Sequence, residues 1–339
     1  MKIHQMCKII VGAIGASQWK PKQPGQKGLR ILSFDGGGTR GVLSVAIMRE
    51  LCKRVGKNPH EIFDIICGTS TGGIVAVLMG AKKLSVAETE YLYDEFIDKV
   101  FGKKSSVKLV TEQASYDELE FENILSKQLG DEQFIDSVRN DCAKVFCVST
   151  KVNTVPTTHI WRNYNYPPGQ TSRYAGSNRV NTMTAVRATT AAPTFFVPVQ
   201  WENGLYCDGA LVANNPTAIA LQEAKQLFPG VPIETVLSIG TGVFSQSSGN
   251  VNSMGWDLLI SQVIAGAVDT EDIHELLRDL LPDDQYFRFN PKLVDNLNID
   301  EKDKGRLNGL KNLALTLFDP SSRSLDAKRM EKLVNRLKK

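Results

Sequence analysis

The chain has 339 residues, 42% of them hydrophobic and 23% charged, which is ordinary for a globular protein and leaves room for a large core. Length alone allows about two domains or one large α/β domain. A formal net charge of +3 is too mild for the footprint of a nucleic-acid binder, although it suits a protein that visits anionic surfaces.

From the amino end, residues 9–17 (IIVGAIGAS) follow Lys2 and Lys8 and faintly resemble a secretory signal. Two glycines interrupt the run, and a buried or interfacial starting helix is the preferred reading. Residues 17–28 are rich in Pro, Gly and Lys and read as a linker, so residues 1–28 form an N-terminal segment ahead of the first strand. LRILSF (29–34) predicts a buried strand and TRGVLSVAIMRELCKRVG (39–56) a helix. FDIICG (63–68) predicts a second buried strand, and GGIVAVLMGAKK (72–83) a second helix. Ser85 and Glu88 make a capping box that opens a helix to about Val100. Further strands are expected at 143–152, 235–242 and 286–290. His159 falls where alternation places it on a strand surface. The polar stretch 163–182 reads as a long loop, and DTEDIHELLRDLL as a polar amphipathic helix. Strands and helices alternate and the strands are apolar throughout, which predicts a mostly parallel sheet covered on both faces.

Residues 321–339 place Met330, Leu333, Val334 and Leu337 on one helical face, with six basic residues between Lys328 and Lys339. Such a helix can pack on the domain or lie on anionic lipid with its apolar face down. Trp161 and the tyrosines around the 163–182 loop are a second candidate for contact with a lipid surface. No apolar run approaches the roughly 18–20 residues of a membrane-spanning helix.

The six cysteines (Cys7, Cys52, Cys67, Cys142, Cys147 and Cys207) form no C-x-x-C pair, and Cys67 and Cys147 sit in apolar strand-like runs. They read as reduced, hence an intracellular protein, cytoplasmic or peripherally attached to an organelle membrane. Four histidines leave little for a zinc site, and neither a metal nor another cofactor is expected.

The stretch FDGGGTRG follows the first strand and opens a helix, so its N–H groups make an anion site. The anion could be a dinucleotide pyrophosphate, a nucleotide triphosphate or the oxyanion of acyl transfer, and a bare turn is also possible. No Gly-Lys-Ser/Thr follows, which removes the P-loop. No carboxylate ends the second strand, which weakens the dinucleotide reading.

Gly68-x-Ser70-x-Gly72 has the pattern of a nucleophile elbow, in which glycines permit a strained turn and the serine Oγ projects at a helix start. The glycine-rich turn follows the first strand and the elbow the second, so both lie at the carboxyl edge of a parallel sheet. Acyl transfer needs that neighbourhood. A proton acceptor is then required. His4, His60 and His159 read as structural; His274 is retained as the third member of a Ser70–Asp208–His274 order. Asp208, before Gly209 and Ala210, is either a base at a close-packed site or an ordinary Asp-Gly turn.

Asp35 to Gly41, Gly68 to Gly72 and Asp208 to Ala210, in this order, together with RATTAAPTFF (187–196) and NNP (214–216), resemble the patatin-like phospholipase family. The wording of RILSFDGGGTRG, FDIICGTSTGG and WRNYNYPPG looks closest to its gamma-type calcium-independent phospholipases A2. The resemblance covers about residues 29–242, with residues 243–339 matching only loosely. It implies a three-layer α/β/α sandwich with a mostly parallel central sheet, forming a catalytic domain over 29–320. It implies a Ser–Asp dyad without histidine, carried here by Ser70 as nucleophile and Asp208 as base. The oxyanion hole falls to the N–H groups of Gly36, Gly37 and Gly38, with Arg40 nearby, and Gly68, Gly72 and Gly209 support the motifs. The implied substrate is a phospholipid at a membrane surface, hydrolysed without calcium; no nucleic acid is involved and the oligomeric state is left open. The rival readings are a soluble carboxylesterase or lysophospholipase with the Ser-Asp-His triad, and a catalytically silent lipid-binding scaffold.

Overall fold

The computed structural model describes residues 28–101, 116, 118–140, 142–244, 270–294 and 297–339; the signal-like run and most of the linker fall outside them. The strands are β1 (Leu29–Phe34), β2 (Ile65–Thr69), β3 (Lys144–Lys151), β4 (Thr157–Arg162), β5 (Ala175–Ser177), β6 (Val199–Trp201), β7 (Gly204–Asp208), β8 (Ile233–Ile239), β9 (Val243–Phe244), β10 (Tyr286–Phe289) and β11 (Lys292–Leu293). The helices are α1 (Gly41–Val55), α2 (Pro59–Ile62), α3 (Thr71–Ala76), α4 (Val86–Phe96), α5 (Glu118–Leu129), α6 (Thr182–Thr189), α7 (Ala210–Ala213), α8 (Thr217–Leu227), α9 (Thr270–Leu280), α10 (Lys304–Leu317) and α11 (Leu325–Leu337).

The central sheet runs β10-β8-β1-β2-β3-β4-β5, with β7 added on β3 and β6 on β7. From β10 to β3 every pairing is parallel. Antiparallel pairing begins at β3, with β4 and β7. Successive residues of β1 serve two cores. Leu29 and Ile31 pack with Ile219, Ala220 and Leu227 of α8, whereas Leu32 and Phe34 pack with Leu43 and Met48 of α1 on the opposite face. This two-sided burial is why the strands read as apolar throughout, and it makes the three-layer α/β/α sandwich. The capping box at α4 forms as expected: the Ser85 N–H donates to Glu88 Oε2 at 2.8 Å and the Glu88 N–H to Ser85 Oγ at 3.2 Å.

Two expectations are corrected, and one open choice is decided. First, of the two readings of the last helix, α11 takes the packed one, with its apolar face against the domain. Met330, Leu333, Val334 and Leu337 are buried in the same core as α1, each stabilised by about 1.5–3 kcal/mol relative to exposure. Arg336 donates to the Glu234 carbonyl and Arg30 to the Leu337 carbonyl. The end of α11 therefore sits by the amino ends of β1 and β8, and Lys328 and Lys332 are on its exposed side. Second, Trp161 and Tyr164 are wholly buried, which removes them as lipid contacts. The buried carboxylate of Glu223 accepts hydroxyl donors from Tyr164 (2.7 Å), Ser172 (2.6 Å) and Tyr166, pinning the 163–174 stretch to α8. Third, His159 is buried, its ring packed against Trp161 and Tyr206. Burial pushes its pKa down to about 3, so the ring is neutral.

Candidate active site

Parallel strands end together, and the carboxyl ends of β1, β2 and β8 form one edge. Strand β3 then sets the spacing. Its residue Val148 lies opposite Thr69, the end of β2, and the next residue, Ser149, lies opposite Asp208, the end of β7. Two strands from distant parts of the sequence thus meet end to end along β3, and Ser70 follows Thr69 into the junction.

Ser70 adopts φ 56° and ψ −128°, between the last residue of β2 and the first of α3. A non-glycine residue there carries about 1–3 kcal/mol of strain and persists only where its surroundings hold it. Gly72 explains how the turn fits: a Cβ there would lie 2.6 Å from the carbonyl oxygens of both Phe34 and Asp35. The elbow therefore leans directly on the glycine-rich loop. Ser70 Oγ donates to Asp208 Oδ2 at 2.6 Å, and Asp208 Oδ1 accepts from the Ala210 N–H at 2.8 Å. Asp208 is 2% exposed, and burial raises its pKa to about 7 although the bonds from Ser70 and Ala210 oppose the shift. Gly209 is equally confined, with the Val148 carbonyl where a Cβ would stand. Asp208 is thus not an ordinary turn residue.

The glycine-rich loop is held through its carbonyls. Gly36 O accepts from Asn214 Nδ2 at 3.3 Å and Thr241 Oγ1 at 3.2 Å, Gly37 O from Arg40 Nε at 3.4 Å, and Gly38 O from Tyr93 Oη at 2.6 Å. In a planar trans peptide the N–H points opposite the carbonyl. The N–H groups of Gly37 and Gly38 therefore turn away from those partners. Gly36 differs, since its N–H donates to the Asn214 carbonyl at 3.3 Å. Of the three glycine amides expected to serve an oxyanion, that of Gly36 already has this partner, and Arg40 binds back to the loop it belongs to. Gly38, at φ 59°, lies so close to the Ile299 carbonyl that only glycine fits.

Behind the loop, Asp35 Oδ2 accepts from Arg288 Nη2 at 2.7 Å, and the same guanidinium reaches Glu271 Oε1 at 2.7 Å and Ser238 Oγ at 2.9 Å. Burial raises the Asp35 pKa to about 6, with Arg288 pulling the other way. Sequence reasoning missed this group. The only signal was a charge at the centre of the apolar strand YFRFN. Thr241 and Tyr93 gave no signal at all. His274 lies with Nδ1 3.2 Å from Tyr286 Oη, at the start of β10, and both carboxylate oxygens of Asp208 are bonded to Ser70 and Ala210. His60 belongs to α2, ahead of β2, at the amino end of the sheet. Among the described residues no group of three or more His, Cys, Asp or Glu side chains is arranged to hold a metal ion.

A sheet whose carboxyl edge brings a strained serine, a buried carboxylate and a glycine-rich loop together fits the family that the sequence resembles. The patatin-like phospholipase profile matches residues 32–221, more than half of the chain, and the chain belongs to that family. It is 41% identical over 297 residues to calcium-independent phospholipase A2-gamma of Homo sapiens, covering 84% of this chain and 38% of that protein. It is 34% identical over 347 residues to phospholipase A I of Arabidopsis thaliana, covering 84% and 26%. Among solved structures, VipD from Legionella pneumophila aligns with TM-score 0.44 and 11% identity, covering 93% of this chain and 69% of that one. The chain spans 37–41% of the length of the gamma-type relatives it matches. No described helix is long and apolar enough to cross a membrane.

Proposed function

We propose that this chain is a calcium-independent lipid acyl hydrolase that cleaves fatty-acyl esters of glycerophospholipids at a membrane surface. Ser70 is the nucleophile, Asp208 the general base, and the Gly37 and Gly38 amides the oxyanion hole. The single observation that carries the reading is the 2.6 Å bond from a strained, buried serine to a carboxylate with no cationic partner among the described residues. The names of the relatives support the substrate class and the independence from calcium.

Asp208 takes the hydroxyl proton as Ser70 Oγ attacks the ester carbonyl. The carbonyl oxygen becomes the oxyanion and is held by the two amides, each donor typically lowering the barrier by about 3–4 kcal/mol. Collapse breaks the ester C–O bond, and Asp208 returns the proton to the leaving lysophospholipid oxygen. Water, deprotonated by Asp208, then attacks the acyl-serine; the bond from the acyl carbon to Oγ breaks, Asp208 returns the proton to Ser70 Oγ, and the fatty acid is freed. A carboxylate with a pKa raised to about 7 suits both directions of this transfer at neutral pH.

The test incubates the protein with mixed phospholipid vesicles plus chelator and identifies products by mass spectrometry. Free fatty acid and lysophospholipid are expected from the wild type and not from Ser70→Ala. Equal release by both proteins would end the proposal.

A further inference from the structure

Thr189, the last residue of α6, has no part in the chemistry above, yet it touches both halves of the site. Its Oγ1 accepts the Ser70 N–H at 3.0 Å and donates to the Val148 carbonyl of β3. Its own carbonyl accepts the Gly209 N–H at 3.4 Å, and two residues on, the Ala191 carbonyl accepts the Asp208 N–H at 2.9 Å. A helix end leaves its last carbonyls without intrahelical partners. Here that end is satisfied by the main chain on either side of Asp208's α-carbon. The hydroxyl, meanwhile, holds the nitrogen of the one residue that sits in a strained left-handed turn at the site. Thr189 is fully buried and its methyl packs by Gly73, where a Cβ would come within 2.8 Å of Thr189 Cγ2. The side chain therefore has little freedom to choose other partners.

We infer that Thr189 is a positioning residue that locks Ser70 in its strained turn and sets it in line with Asp208; the inference rests on the Ser70–Asp208 reading above. Replacement by valine keeps the shape and removes both the acceptor for Ser70 and the donor to Val148. The buried Ser70 N–H then loses its partner, and the turn relaxes toward a less strained backbone. Thr189→Ser keeps the hydroxyl and loses only the methyl.

The experiment measures kcat and KM on a phospholipid and the rate of fluorophosphonate labelling at Ser70, each per folded molecule. Thr189→Val is expected to lower kcat and the labelling rate by about 10- to 100-fold, since small misplacements of reacting groups have that effect. KM should stay within about twofold, and Thr189→Ser should label within about threefold of the wild type. A purely structural role would lower the thermal midpoint and leave the labelling rate of folded protein unchanged. Wild-type labelling by Thr189→Val therefore overturns the inference while leaving the dyad in place. Failure of the wild type itself to label at Ser70 overturns the dyad, and the positioning role with it. Should the valine variant not fold, Thr189→Cys, a weak acceptor, replaces it. Cysteine should then label about tenfold more slowly than serine at position 189, and equal rates overturn the inference.

Discussion

Asp35 and Asp208 are both buried carboxylates at the carboxyl edge of one sheet, and they differ in what faces them. Asp35 meets a guanidinium that also binds Glu271 and Ser238; this opposes the effect of burial, although the Asp35 pKa still rises to about 6. Among the described residues, Asp208 meets a hydroxyl and one main-chain amide and no cation. The first arrangement holds a loop still. The second sets a carboxylate, its pKa raised to about 7, against a serine hydroxyl. Burial raises both pKa values, and what separates the two carboxylates is what each one touches.

The largest expected break in this comparison is Asp208→Asn. It should lower kcat on phospholipid by about 10³- to 10⁴-fold while the circular dichroism spectrum stays that of the wild type. The reverse is expected on the other side. Arg288→Met should cost about 3–5 kcal/mol of stability in urea unfolding, because Asp35 is left buried without its partner. Next comes stability against pH. With a folded pKa of about 7 against a usual value of about 4, Asp208 binds its proton more tightly in the folded state, so stability falls as pH rises from about 4 to 7. Asp208→Asn removes that loss and should be more stable than the wild type at pH 8 by on the order of 1–4 kcal/mol. Over the same range, kcat/KM should rise with an apparent pKa near 7; a limb near 4 would mean that Asp208 is not the base. The smallest effect belongs at the far edge of the sheet. Lys328→Ala with Lys332→Ala, on the exposed side of α11, should shift stability by less than about 0.5 kcal/mol and leave hydrolysis of a soluble ester unchanged.

Local signals located much of this molecule. Glycines around Ser70 and after Phe34 marked both turns, and apolar runs marked β1, β2, β3, β8 and β10 within three residues at each end. What failed were questions about what covers what. TTHIWR alternates as a half-wet strand should, but Tyr206 of β7 and Trp201 of β6 close over His159. The stripe on α11 is the same pattern whether a core or a bilayer lies beneath it. Arg288, Thr189 and Thr241 escaped because each finds its partner far away in sequence, 253 residues for Arg288 and Asp35, 119 for Thr189 and Ser70, and 205 for Thr241 and Gly36. A lone polar residue in an apolar run gives no hint of that address.

The register along β3 has one more consequence. Thr69 and Asp208 are matched to adjacent rungs of the same strand, so their alignment is set by a rigid ladder that no surface loop can adjust. Inserting a single residue between Val148 and Ser149 would flip every later side chain to the other face and carry Asp208 away from Ser70. Loops that touch neither Ser70, Asp208 nor the glycine-rich turn can drift in length without touching the chemistry. The length of this one strand cannot.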